Sequence, residues 1–100
     1  MTQAGQIHMF IIRWKSETTY GQVNRALHDV RAFQGVVPGL LETNVGINAS
    51  DKSAGYAFAA VLKFTDANAL RDYLVHPAHI AFLEWVSPLI DSAIDADFKP

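Results

Sequence analysis

The sequence predicts an α+β domain of the ferredoxin-like type, with a four-stranded antiparallel sheet and its helices on one face. The main observation is the order of elements read from hydrophobic periodicity, β-α-β-β-α-(α)-β, which is the split βαβ arrangement. The chain has 100 residues, half of them hydrophobic, which suits one domain with an unusually apolar composition. In addition, two of the predicted strands are apolar on both sides.

The first and third predicted strands have no polar side. Ile7 to Trp14 forms the first strand, after a flexible tail at residues 1–6, and Tyr56 to Phe64 forms the third. In a strand, alternate side chains point to opposite faces, and both alternating sets are largely apolar in each of these two runs. We therefore expect both strands to be buried on their two faces.

The second and fourth predicted strands are half polar. Between Leu40 and Ile47, Leu41, Thr43, Val45 and Ile47 alternate with a more polar set, so this strand is predicted at a sheet edge. The last strand alternates Ile94, Ala96 and Phe98 with Asp95 and Asp97. We interpret the two aspartates as its solvent-facing side.

Three helices are predicted from their boundaries. Thr19 and Gln22 have capping-box spacing before an amphipathic helix, which glycine and proline residues at 35–39 bring to an end. Asp66 is a candidate N-cap of a second helix that ends near His76. Pro77 then begins a third, short helix, because proline is tolerated in a first helical turn.

Composition excludes several classes of function. Only 18% of the residues are charged and the net charge is -2, so no basic surface for nucleic acid or an anionic membrane is expected. There is no cysteine, which excludes disulfides, thiolate metal sites and thiol catalysis. The apolar run near the N-terminus has neither the flanks of a signal peptide nor the length of a membrane span, and a cytoplasmic location is the default expectation.

The double-sided apolar strands also predict a partner. In a ferredoxin-like domain the helices cover one sheet face, so the other face would expose a large apolar patch, which monomers rarely tolerate. We therefore predict a homodimer in which two sheets face each other as a dimeric α/β barrel around an enclosed apolar space.

Chemistry-bearing side chains are concentrated at the corner between the second and third helices. Within Asp72 to Ile80 the chain places a phenol, Tyr73, and two imidazoles, His76 and His79, around Pro77. A helix-to-helix corner can direct such side chains into a cavity. This segment is therefore the first candidate for a functional site.

The chain resembles the stress-responsive dimeric α/β-barrel (Dabb) domain family, which includes a plant polyketide cyclase. The resemblance covers nearly the whole domain. Its most specific motif is Tyr-x-x-His-Pro-x-His, from Tyr73 to His79, and the shorter ones are His8 opening the first strand, Val37-Pro38-Gly39, Gly46-Ile47-Asn48 and Gly55-Tyr56.

The resemblance implies a specific chemistry. His79 corresponds to the general base of the cyclase and Tyr73 to its assisting tyrosine, while His8 would line the same pocket. A polyketide-cyclase (lyase) type reaction would begin with proton removal next to a carbonyl. The predicted substrate-binding residues are His8, Phe10, Ile12, Phe58, Leu62 and His76. Phe58 stands where the cyclase has a further histidine, so a more apolar cavity is expected.

Structural interpretations stay open for each of these residues. His76 is also compatible with capping the third helix or bonding a carbonyl at the corner, and His79 with a buried imidazole bonded to the backbone or to Tyr73. Tyr73 is compatible with a core position, and His8 with a hydrogen-bonded histidine at an interface. A shared metal at His76 and His79 lacks a third ligand at recognisable spacing, and the side chains typical of haem-degrading relatives do not stand at matching places, so neither metal nor cofactor is predicted. A non-catalytic, stress-related dimer that binds an apolar small molecule is the alternative function.

Overall fold

The computed structural model of the chain describes residues 3–100, so Met1 and Thr2 of the predicted tail lie outside the described part. Four strands and three helices follow in the predicted order. The strands are β1 (Gln6–Trp14), β2 (Leu40–Ile47), β3 (Phe58–Phe64) and β4 (Ile90–Phe98). The helices are α1 (Tyr20–Arg31), α2 (Ala67–Leu74) and α3 (Pro77–Val86), and a short 3₁₀ turn at Ser87–Leu89 precedes β4.

The predicted helix boundaries are reproduced by capping contacts. The Thr19 hydroxyl accepts from the backbone of Gln22, whose side chain in turn accepts from the Thr19 N–H, which completes the capping box of α1. The Asp66 carboxylate accepts from the backbone N–H of Ala69 and caps α2. Helix α2 ends at Leu74, and α3 begins at Pro77.

The sheet has the strand order β2-β3-β1-β4, with all neighbouring strands antiparallel. This order confirms the ferredoxin-like fold and places β2 at an edge, as predicted. The two doubly apolar strands, β1 and β3, are the central pair. The strands whose sequences suit burial on both faces are therefore the ones that occupy the centre of the sheet.

One face of the sheet carries all three helices. The core combines alternate residues of β1 and β3 with the apolar faces of α1, α2 and α3. Phe58, Leu62 and Phe64 are fully buried there, packed with Val30 of α1 and Val86 of α3. The core thus lies entirely between the sheet and the helices.

The opposite face of the sheet is uncovered and apolar. In an antiparallel pair, residues directly opposite each other lie on the same face. Ile11 lies opposite both Ala59 and Ile94, and Met9 opposite both Val61 and Ala96. Ile94 is 50% exposed and Phe98 47% exposed. We call the set formed by Met9, Ile11, Ala59, Val61, Ile94, Ala96 and Phe98 the open sheet face.

The same register shows which face of the sheet the two aspartates of β4 share. Asp95 lies opposite Phe10 and Asp97 opposite His8, so both carboxylates are on the helix-covered face rather than on a purely solvent-facing side. The apolar alternates of β4 are the ones left uncovered. Both aspartates are nevertheless exposed to solvent, because β4 is an edge strand, and alternation alone does not say which side of a strand faces the helices.

Candidate functional site

A cavity of about 310 Å³ lies between the sheet and the α2–α3 corner. It is lined from four elements: β1, β4, α2 and α3. The cavity is on the helix-covered side of a single chain, whereas the space predicted between two facing sheets would lie on the opposite face of the sheet. The lining residues are His8, Phe10, Ile12, Tyr73, Leu74, His79, Phe82, Leu83, Val86, Ile90, Ala93 and Asp95.

The cavity has a polar end and an apolar end. His8 lies near one end of the paired strands β1 and β4, Asp95 lies opposite Phe10, and Ile12 and Ala93 lie opposite each other further along. Ile12 stands four positions after His8 on the strand, which corresponds to roughly 13 Å. The space therefore suits an amphipathic molecule with one polar head.

His79 projects from the first turn of α3 at the polar end. Its Nδ1 lies 3.1 Å from the backbone carbonyl oxygen of Leu74, near the C-terminus of α2, where carbonyls lack helical partners. Because a carbonyl can only accept, Nδ1 carries the proton and Nε2 holds the lone pair of the neutral ring. The contact to Leu74 thus selects the tautomer that a general base needs.

Burial sets the charge state of His79. Desolvation lowers its pKa below the ordinary value of 6.5, and the nearby His8 acts in the same direction. The hydrogen bond to Leu74 and the charge of Asp95 oppose this shift without cancelling it. The pKa of His79 therefore lies on the side that keeps the ring neutral at pH 7.

Tyr73 lies beneath His79 and is only 1% exposed. The two ring centroids are 4.3 Å apart, and Phe33 and Phe64 pack against other sides of the phenol. Burial raises the pKa of Tyr73 above its ordinary value, and the charge of Asp95 adds to the effect. The phenol remains protonated, and within residues 3–100 its hydroxyl has no hydrogen-bond partner.

His8 is held by a residue that the sequence did not indicate as functional. Its Nδ1 lies 2.5 Å from a carboxylate oxygen of Asp97, the residue directly opposite on β4. His8 is buried, whereas about half of the Asp97 side chain is exposed. The carboxylate accepts from Nδ1 and leaves Nε2 as the second nitrogen available to a ligand.

Not all the predicted binding residues reach the cavity. Phe10 and Ile12 line it, but Phe58 and Leu62 are fully buried in the core beneath β3 and do not. They were included because they share an apolar face with Phe10, whereas the cavity lies toward β4, on the other side of β1. His76 also lies outside the lining. Its Nδ1 accepts from the backbone N–H of Ala78, 3.1 Å away, and caps α3.

Residues 3–100 contain no group of three or more histidine, cysteine or acidic residues arranged to hold a metal ion. None of the helices in these residues is long and apolar enough to cross a membrane.

Comparison with known proteins places this geometry in context. The olivetolic acid cyclase of Cannabis sativa is 21% identical over 95 residues, which cover 93% of this chain and 94% of the cyclase. A dimeric ferredoxin-like protein of unknown function from Thermobifida fusca has a TM-score of 0.87 at 23% identity, covering 100% of this chain and 94% of that one. The hydroxynitrile lyase from Passiflora edulis has a TM-score of 0.85 at 17% identity, covering 95% and 92%.

The structural similarities, at these identities, establish the fold. The family follows from the sequence: the pattern that defines the Stress responsive A/B Barrel Domain, Dabb, matches residues 7–100, which is nearly the whole chain. The chain therefore belongs to the stress responsive A/B barrel domain family.

Proposed function

We propose that the protein is a homodimer that binds an amphipathic carbonyl compound in the cavity of each chain and removes a proton from the carbon next to the carbonyl. This is the first step of cyclase or lyase chemistry. The observation that carries the proposal is the meeting of His79, with its free Nε2, and the unpartnered Tyr73 at one polar end of an otherwise apolar cavity.

In the proposed step, His79 Nε2 takes the proton and the carbon–hydrogen electron pair moves into the enolate. The Tyr73 hydroxyl donates a hydrogen bond to the enolate oxygen, and its raised pKa keeps this donor protonated. His79 becomes an imidazolium, which can return its proton later in the cycle. The enolate carbon then attacks a second carbonyl of the same molecule. A carbon–carbon bond forms as the π bond of that carbonyl opens, and the resulting alkoxide takes the proton of the His79 imidazolium.

The shape of the cavity supports this chemistry in two ways. The apolar end, formed by Ile12, Val86 and Ala93 among others, can hold a flexible chain folded and exclude water. At the polar end, His8 is fixed by Asp97 and can accept a hydrogen bond from a hydroxyl group of the substrate through Nε2. Binding and proton transfer are thus assigned to different imidazoles.

The homodimer rests on the open sheet face. Apolar side chains from β1, β3 and β4 form one continuous uncovered surface, which isolated domains rarely expose. The related Thermobifida fusca protein is dimeric. A second copy packed sheet to sheet would bury this surface without touching the cavity, which is on the opposite side of the sheet.

Deuterium exchange tests the proposed chemistry without knowledge of the natural substrate. The probe is 2-octanone, whose carbonyl suits the polar end and whose chain suits the apolar end. We expect the protein in D₂O to accelerate loss of the proton signals next to the carbonyl, followed by NMR, and Tyr73→Phe to slow the exchange. Binding of 2-octanone without accelerated exchange would instead favour the non-catalytic binding protein.

The pH dependence of exchange follows from the lowered pKa of His79. Protonation removes the lone pair on Nε2, so activity falls as the pH is lowered through this pKa. Because burial disfavours the cation, the midpoint of the acid limb is expected below 6.5. The measurement is the exchange rate of 2-octanone as a function of pH, and a midpoint above 6.5 would contradict the assignment of His79 as a partly buried base.

A further inference from the structure

Asp95 brings an unneutralised carboxylate to the polar end of the cavity. It lines the space together with His8, Tyr73 and His79. The ion pairs within residues 3–100 join Asp97 to His8, Asp91 to Arg13 and Glu42 to Lys63, and none of them involves Asp95. No lysine or arginine is among the described residues that line the cavity.

The neighbouring carboxylate, Asp97, differs in this respect. Asp97 accepts a hydrogen bond from His8 through one carboxylate oxygen and thereby fixes the orientation of that ring. Asp95 lies two residues earlier on the same face of β4, opposite Phe10, whose side chain offers no hydrogen bond. The lone pairs of Asp95 are therefore available to whatever enters the cavity.

Asp95 is exposed to solvent in the isolated chain, and its carboxylate becomes unfavourable for the proposed chemistry when a ligand displaces that water without compensating the charge. The enolate forms at the Tyr73 hydroxyl. Burial is the main cause of the raised pKa of this phenol, and the charge of Asp95 adds to it, so Asp95 opposes a negative charge at this position. A positively charged or hydrogen-bond-donating group on the substrate would occupy the carboxylate and remove this repulsion. A carboxylate on the substrate would add to it.

We propose that Asp95 is a specificity-determining residue that selects ligands whose polar head donates to a carboxylate, most strongly an ammonium group, and rejects anionic heads. This inference rests on the proposed use of the cavity as a binding site for amphipathic molecules, but not on its catalytic step. The proposed ligand is therefore an alkyl chain that ends in a polar head, and this head contains a carbonyl together with a cationic or hydroxyl group.

Three probes with chains of equal length test the proposal: octylamine, 2-octanone and octanoate, titrated into the protein by calorimetry at about pH 7.5, where the amine and the acid are both ionised. We expect octylamine to bind at least about tenfold more tightly than octanoate, with 2-octanone between them. In Asp95→Asn, which keeps the shape of the side chain, the preference should fall to about twofold or less.

Asp91→Asn is the matched control, because it removes one negative charge from the same strand at a residue that does not line the cavity. It should leave the preference for octylamine intact. Equal binding of octylamine and octanoate, no binding of either, or an equal loss of preference in both variants would overturn the proposal. If the protein exchanges 2-octanone but does not discriminate between head groups, the role of Asp95 is overturned and the proposed catalysis stands. If it discriminates between head groups but does not exchange 2-octanone, the proposed catalysis is overturned and the role of Asp95 stands.

Discussion

Replacing His79 with alanine is expected to lower the acceleration of 2-octanone exchange at least about a hundredfold, since general bases contribute about 10²- to 10⁴-fold to such steps. Within residues 3–100, the only other imidazole that lines the cavity is that of His8. The Nδ1 of His8 donates a hydrogen bond to the carboxylate of Asp97. His79 combines a protonated Nδ1, fixed by Leu74, with a ring that packs at a tilt against Tyr73, with the two ring centroids 4.3 Å apart. The measurement is the NMR exchange rate at equal protein concentration.

Two further variants separate loss of the base from loss of the fold. His79→Gln keeps a side chain of similar length but has no basic nitrogen, so it should be as inactive as the alanine variant. His28→Ala removes an exposed imidazole from α1, far from the cavity lining, and should retain full exchange. Undiminished exchange in both His79 variants would remove this residue from the mechanism.

The fold could be predicted from the sequence because each element carries its own local signal. The doubly apolar runs of β1 and β3 identify the central strands, and the half-polar run of β2 identifies an edge. Capping residues such as Thr19 and Asp66 mark where helices begin. Each of these signals depends only on residues that are close in the sequence, so it can be recognised without knowledge of the tertiary structure.

The site was predictable only in part, because a cavity depends on which elements meet. Tyr73 and His79 lie at one corner of the chain, so their proximity could be predicted from local sequence. Asp97, however, reaches His8 only through the β1–β4 register, across most of the chain length. Phe58 was placed at the cavity because its face was known, but its position across the sheet was not.

The two faces of the sheet have different proposed roles: the helix-covered face forms the cavity, and the open sheet face forms the dimer interface. The cavity draws on alternate residues of β1, such as His8, Phe10 and Ile12, while the intervening Met9 and Ile11 belong to the open sheet face. A substitution on one face therefore should not alter the chemistry of the other directly. This separation makes the dimer testable without disturbing the candidate site.

Replacing Ile94 with lysine is expected to convert a dimer into a monomer. Ile94 is 50% exposed in the isolated chain and lies opposite Ile11 on the open sheet face. In the proposed dimer its new ammonium group would be buried against a second apolar sheet without a partner charge, which is strongly unfavourable. Light scattering coupled to size exclusion should give about twice the chain mass of 11.0 kDa for the unmodified protein and about the chain mass for the variant.

Ile80→Lys provides the matched control, since Ile80 is 43% exposed but lies on α3, on the helix side of the sheet. The two substitutions add the same charge and remove the same apolar side chain, so they differ only in the face that they alter. If association uses the open sheet face, Ile80→Lys remains dimeric. A monomeric unmodified protein would contradict the dimer outright, whereas a dimer that persists in Ile94→Lys and dissociates in Ile80→Lys would place the interface on the helices.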